Sequence, residues 1–170
     1  KLLHEVKDRE FIGYSYDGAA ASFELLARRL MGEIPRYISI NEYDVSVKKD
    51  STGEVISFAK AKLKVDGHEI LCEGEGNGPV NALDNAIRKN VNKLEKYSEY
   101  LKDLKLVDYK VRILNTGTEA ITRVSIESTD SKGKNWFTIG VSTNIIDASF
   151  KALIDSLDYK LFKDNAPASK

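Results

Sequence analysis

Lys60-Ala61-Lys62-Leu63-Lys64-Val65-Asp66-Gly67-His68-Glu69-Ile70-Leu71 is the stretch that decides how this chain folds. From Ala59 to Val65, small and apolar residues alternate strictly with lysines. That period of two belongs to a strand with one buried face. Asp66-Gly67 tolerates the positive φ of a two-residue hairpin turn, so a second strand returns over about His68 to Gly74. Upstream, Ile38 and Ile40 alternate on one parity, and Tyr43, Val45 and Val47 on the other. The change of face predicts a bulge. Ser51-Thr52-Gly53 predicts the turn into the strand beginning at Val55. Downstream, Gly76-Asn77-Gly78-Pro79 opens a helix, with Pro79 at the first helical position and Val80, Leu83, Ile87, Val91 and Leu94 on one stripe. The unit is βββα.

The same grammar returns 66 residues later, the separation of Gly67 and Gly133. That offset sets Tyr43 on Tyr109, Val45 on Val111, Val47 on Ile113, Gly74 on Gly140 and Ala86 on Ala152. Strands are predicted over Leu104–Leu114, Ala120–Ser128 and Trp136–Val141, and a helix over Asn144–Phe162 with Ile146, Phe150, Leu153, Leu157 and Leu161 inward. Few paired positions are identical, but strands, turn and helix stripe agree in one register, which supports duplication. One βββα unit covers its sheet only partly, and two units back to back would leave a seam.

The expected fold class is therefore α+β: two repeated βββα units preceded by a short helical linker segment. Residues 1–35 form the linker segment, with a charged opening over Lys1–Glu10 that reads as a loop or the frayed end of a longer element, and a helix from about Gly18 to Met31 whose Phe23, Leu26 and Leu30 face inward. Unit one runs over 36–100 and unit two over 101–164. Residues 165–170 read as a disordered polar tail.

The chain's 26 basic and 26 acidic residues give a formal net charge of zero. Zero net charge argues against nucleic acid or an anionic membrane as a partner. No apolar run approaches the roughly 18 residues of a membrane span, and no signal peptide is read at the start. The single cysteine, Cys72, reads as a buried structural thiol, with a reducing, cytoplasmic setting expected. His4 and His68 lack zinc-site spacing, and no nucleophile–base motif is present. Trp136 reads as packing, and the Lys60/Lys62/Lys64 row as a solvated strand face.

Three features stay open between structure and function. Gly74-x-Gly76-x-Gly78 is either a tight strand-to-helix turn or a set of amides for an anion, without the lysine of a P-loop. Asp84 is either an i,i+4 partner of Arg88 or a carboxylate awaiting an ammonium group. Tyr109 and Ile113 share a strand face as core or as pocket lining.

Glu75 through Ala86 (EGNGPVNALDNA) resembles the C-terminal regulatory domain of the α-isopropylmalate synthase and citramalate synthase family. Leu106–Leu114 (LVDYKVRIL), Trp136–Ile146 (WFTIGVSTNII), Asp147–Leu157 and Gly13–Arg29 (GYSYDGAAASFELLARR) carry the same resemblance. LVDYKVRIL and the Asp158–Leu161 DYKL are closer to the citramalate branch. The resemblance implies a LeuA-type allosteric and dimerisation domain that forms a homodimer and binds an end-product amino acid, isoleucine more than leucine. It implies a separate N-terminal TIM barrel that condenses acetyl-CoA with a 2-oxo acid, using a divalent metal. This fragment would then hold no cofactor and catalyse nothing alone.

By similarity to the family's strand motif, Leu106, Tyr109 and Ile113 would line the effector pocket, and Val124 would add to it. From charge and helix geometry, Asp84 would take the ammonium, and amides near Thr143 and Asn144 the carboxylate. A dimerisation module with no working effector site is the alternative. An independent enzyme is a distant third.

Overall fold

The computed structural model describes residues 1–114 and 120–170. Two helices come first, α1 (Leu2–Phe11) and α2 (Ala20–Leu30). Strands β1 (Ser39–Lys49), β2 (Val55–Val65) and β3 (His68–Gly76) form an antiparallel sheet in that order, followed by α3 (Pro79–Lys89). A 3-10 stretch (Val91–Tyr97) and one short turn, α4 (Ser98–Leu101), lead to β4 (Lys105–Ile113), β5 (Thr122–Thr129), β6 (Asn135–Ser142) and α5 (Ile145–Lys163). The second sheet has the order β4-β5-β6 and is also antiparallel. The α+β fold with two βββα units is therefore present.

The chain divides into two compact units. The first-sheet unit holds Pro35–Asp103 and Lys163–Lys170, and the second-sheet unit holds Lys1–Ile34 and Leu104–Phe162. The linker helices thus group with the second repeat. The tail groups with the first: Ser169 N donates to Arg36 O at 2.8 Å, and Asp66 N donates to Ser169 Oγ at 2.7 Å. Residues 165–170, expected to be disordered, carry these defined bonds.

In the first-sheet unit the hairpin turn has φ 50° at Asp66 and 77° at Gly67, as the Asp-Gly reading requires. Alternation on β2 buries Ser57, Ala59, Ala61, Leu63 and Val65. The change of face in β1 is a register shift between Ile40 and Glu42. Its counterpart, between Leu106 and Asp108, falls 66 residues on. The single offset needs one correction. Tyr43 pairs with Ala61 whereas Tyr109 pairs with Ile126, so β5 follows β2 at 65 residues. The turn between β5 and β6 carries one extra residue, which restores 66 at β6.

The glycines at 74 and 140 explain how each helix lies on its sheet. A Cβ on Gly74 would fall 2.3 Å from the Ala86 amide nitrogen, and one on Gly140 would fall 2.0 Å from the Ala148 carbonyl oxygen. Gly76 faces the same crowding from Asn81 and Ala82 of α3. Close helix–strand packing thus accounts for Gly74 and Gly76 of the glycine-rich turn. The stripe through Val91 and Leu94 is buried, but α3 stops at Lys89. There the Asn90 side-chain amide donates to Ala86 O at 2.6 Å and Glu73 O at 3.0 Å, and its backbone leaves the helix at φ −113°.

The second-sheet unit seats α2 firmly. Ser22 of α2 donates to Asp155 Oδ2 of α5 at 3.1 Å and accepts from the Ile139 amide at 2.9 Å. That bond satisfies an amide on the outer side of edge strand β6. Arg29 donates to Asp155 at 2.9 Å and Asp158 at 2.8 Å. The face buried by α2 is therefore Ala21, Ser22, Leu25 and Leu26 rather than Phe23 and Leu30. Small residues are what a strand edge admits at close range. Phe23 instead stays partly exposed, edge-on to Tyr16 at 5.8 Å. The charged opening is helix α1, which has no buried residue and carries an Arg9–Glu5 ion pair at 2.8 Å.

Candidate functional site

Strand β4 positions the apolar candidates. Residues three apart on a regular strand face opposite ways. The bulge between Leu106 and Asp108 cancels that rule here. Leu106 pairs with Ser128, Tyr109 with Ile126, Val111 with Val124, and Ile113 with Thr122. All four β5 partners are buried and lie on one face. Directly paired residues project to the same side of an antiparallel sheet. Leu106, Tyr109, Ile113 and Val124 therefore share one face, which also bears α5 over β6. The face is incompletely covered. Val111 is 40% exposed, Ile113 65%, and Ile145 at the start of α5 44%.

The Tyr109 hydroxyl lies 3.3 Å from Ser149 Oγ, so this ring reaches from β4 to α5. Ser142, Thr122 and Ile113 are in register, which sets the start of α5 at the same end of the sheet as Ile113. Asn144 caps that helix: its Oδ1 accepts from the amides of Ile146 at 2.8 Å and Asp147 at 3.1 Å. The Asn144 amide itself donates to Ser142 Oγ at 3.1 Å. The Asn144, Ile146 and Asp147 amides thus already have partners, and the exposed Thr143 stands as a donor-bearing candidate there.

Asp84 belongs to the first-sheet unit, and the other six candidates to the second. It is buried in α3, and Arg88 Nε donates to its Oδ2 at 2.7 Å. Burial raises the Asp84 pKa, and the Arg88 guanidinium offsets only part of that. The 66-residue offset sets Asp84 opposite Phe150 of α5, so a carboxylate occupies a position the other repeat fills with a ring. Cys72 is buried, and burial pushes its thiol pKa up. Among the described residues, no group of three or more His, Cys, Asp or Glu side chains is placed to hold a metal ion. No helix among them is long and apolar enough to cross a membrane.

Residues 17–161 match the LeuA allosteric (dimerisation) domain. The chain belongs to this family. The LeuA-type domain is 46% identical over 166 residues to the (R)-citramalate synthase of Geobacter sulfurreducens, covering 96% of this chain and 31% of that enzyme. It is also 46% identical over 167 residues to the (R)-citramalate synthase of Aquifex aeolicus, again covering 96% of this chain and 31% of that enzyme. Similarity to the 2-isopropylmalate synthase of Clostridium acetobutylicum is 35% over 106 residues, or 61% of this chain and 17% of that enzyme. The chain thus spans about a third of the length of the citramalate synthases it matches. It is a LeuA-type allosteric (dimerisation) domain similar to the part of those (R)-citramalate synthases that it matches.

Sequence reasoning passed over Arg29, Asp155 and Asp158. Nothing in periodicity sets Arg29 beside two acids more than 120 residues away. The spacing of Asp155 and Asp158, one helical turn apart on α5, was the available signal.

Proposed function

We propose that this LeuA-type domain is the regulatory part of a citramalate synthase-like enzyme. It binds a branched-chain amino acid, isoleucine in preference to leucine, for feedback inhibition, and it forms a homodimer. The bulge in β4 is the observation that carries this reading. It aligns Leu106 with Tyr109 and Ile113 on a partly uncovered apolar face beside Val124. An aliphatic side chain needs such a surface. Thr143 is the candidate donor to the effector carboxylate. Asp84 is the candidate acceptor for the ammonium on chemistry alone, as a carboxylate held in a buried position. Catalysis, with acetyl-CoA, a 2-oxo acid and a divalent metal, belongs on an N-terminal barrel of the same polypeptide. Inhibition follows if the effector binds two arrangements of the protein unequally.

A dimerisation module without an effector site is the second reading. The Asp84–Arg88 pair and the Asn144 cap favour it, because both use groups that an amino acid would otherwise engage. Calorimetric titration of the chain with isoleucine and with leucine separates the two. Saturable heat with isoleucine, weaker with leucine, is expected. No heat and no thermal shift with either ligand would leave the dimerisation module.

A further inference from the structure

The face of the second sheet turned away from α5 sets two arginines opposite each other, a pairing the first sheet lacks. Arg112 on β4 pairs directly with Arg123 on β5, and Lys110 pairs with Ser125. Like charges opposite one another destabilise a strand pair. At the equivalent positions of the first sheet, Ser46 faces Phe58 and Asp44 faces Lys60. The cationic pair is thus specific to one repeat. Lys110 has Asp108 at 3.7 Å, but no carboxylate of the described residues pairs with either guanidinium.

These side chains line a cavity of about 340 Å3 whose other wall is the segment from Ser15 to Ala19. Its walls hold three cations against one carboxylate, Asp17. Arg123 Nε donates to the Gly13 carbonyl at 2.8 Å, which fixes the guanidinium beneath the linker and leaves its terminal N–H groups. Gly13 is held there by its own shape: φ is 115°, and a Cβ would meet Ile121, Leu114 and Val141 at 3.0–3.2 Å. Burial and the neighbouring Arg112 both lower the Arg123 pKa, in the direction expected of two adjacent cations.

We propose that this cleft binds a small dianion of the phosphate class. Two guanidiniums side by side, with Lys110 and the Ser125 hydroxyl, surround one tetrahedral oxyanion with charge-assisted donors. The volume falls within the roughly 300–1,000 Å3 of small-molecule sites. A bound dianion cancels the Arg112–Arg123 repulsion and ties the linker to β4 and β5. The site is independent of the amino-acid site on the opposite face.

Thermal unfolding of the chain in rising inorganic phosphate, at ionic strength held constant with sodium chloride, tests it. A saturable rise in unfolding temperature is expected. Arg112→Gln spares the Arg123–Gly13 bond. It is expected to raise the unfolding temperature without phosphate and to weaken phosphate binding at least tenfold by calorimetry. Lys60→Gln/Lys62→Gln removes surface charge from the other sheet and should leave the response unchanged. Absence of a saturable rise, a rise that survives Arg112→Gln, or equal loss in the lysine variant would each overturn the proposal. Succinate run in parallel separates the geometries: binding as tight as phosphate would overturn the assignment to the phosphate class.

Discussion

Gly140 on β6 lies directly against Ala152 of α5, with room for no side chain: a Cβ at 140 would sit 2.8 Å from the Ala152 amide nitrogen. Gly74 and Ala86 repeat the relationship in the first-sheet unit. Backbone cannot yield as a flexible side chain can. Gly140→Ala and Gly74→Ala should each cost about 1–3 kcal/mol or more in chemical denaturation. Gly78→Ser, where a Cβ meets nothing within 4 Å and the hydroxyl suits the N-cap of α3, should be neutral or stabilising.

Tyr109 joins strand to helix, and Asp84 is the buried carboxylate of the other unit. Tyr109→Ala should weaken isoleucine binding at least tenfold, and Asp84→Asn should weaken it while changing stability less. Calorimetry on both variants is the check. Unchanged affinity in both would remove the proposed effector site.

Burial of Asp158 beside Arg29 should make stability depend on pH in an unusual direction. Burial, opposed by Arg29 and reinforced by Asp155, pushes the Asp158 pKa up to about 7. An unfolded aspartate titrates near 3.9. The folded chain therefore holds this proton more tightly than the unfolded chain. Its contribution is fully present below about pH 4 and is lost as pH rises toward about 7. Asp158→Asn should flatten that slope in denaturation midpoints measured from pH 4.5 to 8. An unchanged slope would contradict the assignment.

Ser22→Ala removes the acceptor of the Ile139 amide, a buried bond. An unsatisfied buried donor costs about 1–3 kcal/mol. Hydrogen exchange at Ile139 should accelerate, with α2 loosening before the sheet does.

Much of this architecture was legible because backbone requirements leave marks on composition. Asp66-Gly67 had to turn with positive φ, and the parity change around Asn41 had to be a bulge if both apolar sets were to reach one core. The candidate apolar residues of the site were legible for the same reason, since the bulge recurs beside Val107. Other features depended on distant partners. The buried face of α2 was misread because Phe23 outweighs Ala21 and Ser22 in hydrophobicity, while a strand edge selects for small size. The end of α3 was missed because it is set by Asn90 bonding Glu73, a residue on another element. The Arg112–Arg123 pair appeared only when strand register placed two cations opposite each other.

The two compact units do not coincide with the two repeats. α1 and α2 precede the first repeat in the chain but belong with the second sheet, while Lys163–Lys170 follow the second repeat and belong with the first. A gene cut between the repeats would therefore strand both ends of the polypeptide. An N-terminal half ending at Asp103 would expose the α2 face whose Ser22 and Arg29 bond to α5, and would lack the tail that bonds Arg36 and Asp66. Each sequence half thus carries pieces of both compact units. Separately expressed halves cut at Asp103 should therefore fold poorly, read as loss of cooperative unfolding in each half.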